Sequence, residues 1–141
     1  MTSDLKNCLP ALCGVLLSTY AATASSNSAA FDYRMNCEGC HAVAGVGVEP
    51  HVPALKDNLV PFLHTSLGRE YLIRVPGVRQ VSISDARIAN LLNYVVFTLS
   101  DIEEVHRVQP FSEAEVAAHR KHAYLDVPAA RQRAIDAYEA K

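Results

Sequence analysis

The chain has 141 residues and a net charge of −2, one domain's length, with no room for a two-domain enzyme carrying its own nucleotide fold. Half of the residues are apolar and 20% are charged, which supports a buried core and excludes a disordered or low-complexity polymer. With 13 Lys and Arg against 15 Asp and Glu, no Trp and 7% aromatic residues, neither a basic field for a phosphate backbone nor a base-stacking platform is present, so nucleic acid is not an expected partner.

From Asn7 to Phe31 the chain carries no charge, but its dense apolar part runs only from Leu9 to Leu17. That is shorter than the roughly 20 apolar residues of a membrane helix. Lys6, the short apolar run and Ala22-Thr23-Ala24 fit an export signal cut after a small residue. Residues 1–24 are therefore read as a signal peptide, with Ala30 as a second cleavage site and an uncleaved anchor as the alternative. The expectations are periplasmic localisation and no stable membrane span after cleavage. Cys8 and Cys13 leave with the signal, and the mature chain keeps only Cys37 and Cys40.

Those two cysteines belong to Cys37-Glu38-Gly39-Cys40-His41, the C-x-x-C-H pattern by which haem c is attached. Two thiols three positions apart on a helical turn reach two vinyl groups, and the next residue presents an imidazole to the iron. The rival readings are a thioredoxin-like redox pair, which should follow a strand in a βαβ unit, and half of a zinc site, which needs further soft ligands. One motif implies one covalent haem.

Downstream, Leu67 to Val75 predicts a helix ended by Pro76-Gly77. Ser84 is a good N-cap, and Ile88, Leu91, Leu92, Val95, Val96 and Leu99 recur at three- and four-residue spacing, giving one apolar stripe. Tyr94 lies beside the stripe and is read as packing. Ser112-Glu113-Ala114-Glu115 opens a helix to about His122, and Asp126-Val127-Pro128 caps another that runs to the C-terminus. His106, His119 and His122 are read as solvent-facing. No convincing strand pattern appears, so the fold class is all-α.

On these residues the sequence resembles the class I c-type cytochromes, small soluble monohaem proteins, over about residues 30–100. Phe31 to Cys40 is similar to the first helix of that family. Val52-Pro53-Ala54-Leu55 resembles its P-x-L segment, which implies that the Pro53 carbonyl orients the proximal His41. Ser82 to Val96 resembles its last helix, which crosses the first. The resemblance implies a cytochrome c-like helical fold at 25–100 around one haem. Residues 101–141 continue beyond the family's usual boundary as a helical C-terminal extension, which either wraps the haem domain and widens its partner surface or is plain structural ballast.

The family usually supplies a methionine opposite the histidine from the loop before the last helix. Here that loop, Pro76-Gly77-Val78-Arg79-Gln80-Val81, has none. Met35 sits two residues before Cys37 and is read as core packing. His64 is the first candidate for the distal iron ligand. The alternatives are His51, an open or water-filled position, and Lys56 or a residue of the tail. Without methionine a lower reduction potential is expected.

The leading functional expectation is a periplasmic carrier of single electrons from a redox partner, such as a quinoprotein or flavoprotein dehydrogenase, to a respiratory chain. In that reading no residue is catalytic. The alternative is a five-coordinate haem that binds a small gas or peroxide, with His64 or Arg74 as distal donors.

Overall fold

The computed structural model describes residues 25–103 and 105–141, so the expected signal peptide at 1–24, with Cys8 and Cys13, lies outside the described residues. Helices dominate, and the only β pairing among the described residues is an isolated antiparallel bridge between Val48 and Val52. The class is all-α. The helices are α1 (Ser25–Asn36), α2 (Glu38–His41), α3 (Val60–Leu63), α4 (Ser66–Arg74), α5 (Pro76–Arg79), α6 (Asp85–Tyr94), α7 (Glu113–His119) and α8 (Val127–Glu139).

Side-chain caps set where several of these start. Thr65, Ser84, Ser112 and Asp126 each accept from a backbone N–H three residues on, at 2.9 to 3.3 Å, satisfying one of the donors a helix start leaves open. α4 stops before Pro76, which pushes Val75 to an extended conformation (ψ 143°). The chain does not stay a loop there. Pro76 takes the first position of the short α5, where its missing N–H costs nothing. α6 continues beyond Tyr94 as one π-helical turn, Val95–Leu99, and α7 ends at His119, short of His122.

α1 crosses α6. The apolar stripe of α6 and the turn after it follows its spacing: Ile88, Leu91, Leu92, Val95 and Val96 are buried, and Leu99 is half-buried at the edge of the core. Each of the buried ones contributes roughly 1.5–3 kcal/mol relative to an exposed side chain. Tyr33 of α1 meets Tyr94 of α6 with ring centroids 6.1 Å apart, so Tyr94 packs. Met35, read as core, is 66% exposed instead. At 100° per residue it lies 200° round the helix from buried Tyr33, and the inward face belongs to Ala29, Asp32 and Tyr33.

Residues after Ser100 are built into the same core. Val108, Phe111 and Val116 are buried in one cluster with Ile73, Ile88 and Leu91. Asn93 accepts from the Phe111 N–H at 2.7 Å and donates to its carbonyl at 3.0 Å. Arg69 holds Glu115 through two 2.7 Å hydrogen bonds, donates to the Gln109 carbonyl and lies 4.0 Å over the Phe111 ring. In return Arg120 donates to the Ile83 carbonyl and the Asp85 carboxylate, both at 2.8 Å. α8 then packs on α3 and α4.

Candidate functional site

Cys37, Cys40 and His41 stand on one turn. The helical ladder runs through the kink between α1 and α2: the Cys37 N–H donates to Tyr33 O at 2.8 Å and the His41 N–H to Cys37 O at 2.9 Å. Cys37 is half-buried, Cys40 is exposed, and both are free thiols. Burial pushes the Cys37 thiol up to about 11, with the charges of Asp32 and Cys40 adding to the effect.

The backbone leaves this turn through strained geometry. Ala42 has φ 60° and ψ 176°, a region almost reserved for glycine. Its position is fixed by three contacts. The Tyr33 hydroxyl donates to the Ala42 carbonyl at 2.8 Å, the Ala42 N–H donates to Glu38 O, and the Gly47 N–H returns to His41 O. Gly47 has φ 73°, and a Cβ there would stand 2.5 Å from the Val52 carbonyl oxygen. The loop is thereby folded back so that Pro53 lies beside His41.

The result is a hydrogen bond between His41 Nδ1 and the Pro53 carbonyl, at 3.1 Å. A carbonyl oxygen only accepts, so Nδ1 carries the proton and Nε2 of the neutral ring keeps its lone pair. Desolvation lowers the basicity of His41, partly offset by this hydrogen bond. The ring is therefore held neutral, with a defined tautomer and one nitrogen open to a Lewis acid.

Cys37, His41 and Pro53 line a cleft of about 300 Å³, at the lower end of the range for small-molecule and cofactor sites. Val52, Ala54 and Leu55 continue the wall beside the histidine. Leu91, Leu92, Val95 and Val96 form the floor. Tyr71 and Leu72 of α4, Val78 of α5 and Val75 between the two helices stand on another side. α8 adds Val127 and Arg131. The walls are apolar, with His51, Asn58, Tyr71 and Arg131 among the few polar side chains.

His64 is not brought to this cleft. Its ring packs against Tyr138 of α8, with centroids 6.2 Å apart, and its carbonyl accepts from Lys141. Arg74 is also elsewhere, donating to the His122 carbonyl and stacked 3.8 Å over Tyr124. Lys56 pairs with Asp101 at 2.7 Å. His51, by contrast, lines the cleft while remaining exposed. No Met or Lys lines it among the described residues. Nor does any group of three His, Cys, Asp or Glu side chains converge on one point among them. Tyr71 and Arg131 were missed by sequence reasoning, because the contact between α4 and α8 leaves no local signal.

No protein-family model, curated protein or solved structure matches the chain. The site is therefore read from its own chemistry.

Proposed function

We propose that this chain is a monohaem c-type cytochrome that carries single electrons between redox proteins in the periplasm. The observation that carries the reading is the 3.1 Å contact between His41 and Pro53 on the wall of an apolar cleft shared with Cys37. The residues fit a haem. Cys37 and Cys40 lie one turn apart for two thioethers, His41 offers Nε2 to an iron, and the apolar walls suit a flat macrocycle. When bound, the group supplies one-electron chemistry between its ferric and ferrous states.

The rival uses of the motif are less well supported. A redox or zinc-binding cysteine works as a thiolate, and Cys37 is pushed the other way, to about 11. A zinc site also needs three or four protein ligands, and no group of three such side chains converges among the described residues.

The chain's own work in this reading is to bind and orient. Pro53 fixes the His41 tautomer, the α6 stripe excludes water, and the exposed Val43, Val46 and Val48 beside the motif offer an apolar patch for transient docking. The partner in this reading is a redox protein such as a quinoprotein or flavoprotein dehydrogenase. No helix among the described residues is long and apolar enough to cross a membrane.

A second reading, a five-coordinate haem that binds a small gas or peroxide, is favoured by the composition of the cleft. No Met or Lys lines it among the described residues, and His64 is turned to Tyr138. The test is expression with export and haem-attachment machinery, then mass spectrometry and absorption spectra with and without carbon monoxide. One added haem mass per chain is expected, and free thiols or bound zinc would overturn the proposal. Tight carbon monoxide binding by the ferrous protein selects the five-coordinate reading, and its absence selects the closed carrier.

A further inference from the structure

We infer that Arg131, on the C-terminal helix, binds a propionate carboxylate of the haem, so that the tail is part of the cofactor site. This rests on the haem reading above.

Four of the arginines are ion-paired within the fold. Arg69 engages Glu115, Arg74 engages Glu70, Arg87 engages Asp32, and Arg120 engages Asp85. Arg131 makes no hydrogen bond or ion pair among the described residues. Its guanidinium lies 5.4 Å from the centroid of the Phe62 ring, and it is the one Lys or Arg lining the cleft among them. A half-buried guanidinium with no acceptor, at an apolar cavity, is an unbalanced charge with up to five unused donors. Its chemical complement is a carboxylate on an otherwise apolar ligand, which a guanidinium meets through two parallel hydrogen bonds. A haem carries two such carboxylates on an apolar ring.

The position of Arg131 is determined by α8. The Asp126 side chain accepts from the Ala129 N–H at 2.9 Å and sets the helix start. Buried Ala130 and Ala134 let the helix approach α3 and α4 closely. Val127 and Arg131, four residues apart, then face the cleft together.

The experiment compares the exported holoprotein with Arg131→Met, which keeps an apolar stem over Phe62 while deleting the charge, and with Arg131→Lys. Loss of a nearby cation favours the ferric state, so Arg131→Met should lower the midpoint potential by an equilibrium factor of about ten, 59 mV for one electron. Arg131→Lys should recover most of that shift. Arg133→Gln, two residues along on an exposed position, is the control and should leave the potential unchanged.

Equal potentials in wild type and Arg131→Met, with haem attached in both, would overturn the inference and leave the haem reading standing. Wild-type chains with no attached haem would overturn both. Should Arg131→Met fail to accumulate, ¹⁵N-arginine spectra of the wild-type holoprotein decide. An Arg131 Nε–H resonance displaced between the ferric and ferrous states supports the contact, and one that stays in place refutes it.

Discussion

Asp32, 2% exposed on α1, accepts from both arms of the Arg87 guanidinium on α6, with Nε 3.1 Å from Oδ2. It is the one buried charged side chain among the described residues, and the pair sits where the two helices cross. Removing one partner of such a pair leaves the other desolvated without compensation, whereas replacing both with apolar groups does not. Arg87→Met should therefore lower the melting temperature clearly, and Asp32→Leu combined with Arg87→Met should recover part of the loss. A double variant less stable than Arg87→Met alone would refute this account.

The tail is anchored through Phe111, whose ring is buried under Arg69 and whose backbone is held on both sides by Asn93. Phe111→Ala should cost about 3–5 kcal/mol in urea unfolding, the range for deleting a buried aromatic ring. A loss under about 1 kcal/mol would mean that the segment after Ser100 is dispensable to the core.

Ala42 stores strain next to the proposed iron ligand. At φ 60° and ψ 176° a Cβ is disfavoured by about 1–3 kcal/mol, while glycine loses about 0.5–1 kcal/mol in backbone entropy. Ala42→Gly should then stabilise the protein by about 1 kcal/mol. The His41 to Pro53 hydrogen bond should survive, readable as unchanged absorption of the holoprotein. Destabilisation by Ala42→Gly would show that the turn carries no strain.

His64 tests the distal side. With its ring on Tyr138 and not in the cleft, His64→Ala should leave the absorption spectra of both oxidation states as in wild type. It should cost no more than about 1.5 kcal/mol, the upper end for a lost aromatic pair. A change from a low-spin to a high-spin ferric spectrum would instead make His64 the sixth ligand.

What the sequence made legible was local. The C-x-x-C-H turn, the caps at Ser84, Ser112 and Asp126, and the α6 stripe each depend on residues within a turn or two of one another. What it hid depends on contacts across the chain. Met35 is exposed and not core because its place two residues before Cys37 does not reveal that Asp32, with Arg87 55 positions away, occupies the inward face. The carbonyls of the α5 to α6 loop are tied to Arg120 of the tail, and Arg131 reaches the cleft only because α8 packs on α3 and α4. No periodicity announces either arginine.

The cofactor-free chain, made without export, gives a pH test of the Cys37 environment. Burial moves that thiol from its ordinary 9.0 up to about 11, so at pH 8 only about one Cys37 in a thousand is the reactive thiolate. Cys40 is exposed and should be alkylated first, while the Cys37 rate should climb about tenfold per pH unit until near pH 11. The same shift has a stability consequence. Between pH 9 and 11 the folded chain holds a proton that the unfolded chain has lost, so the contribution is whole below pH 9 and is lost as pH rises through 11. Cys37→Ser should remove that alkaline decline, seen in urea midpoints taken from pH 8 to 10.5. Equal alkylation rates at Cys37 and Cys40 of the folded chain would refute the burial on which this rests.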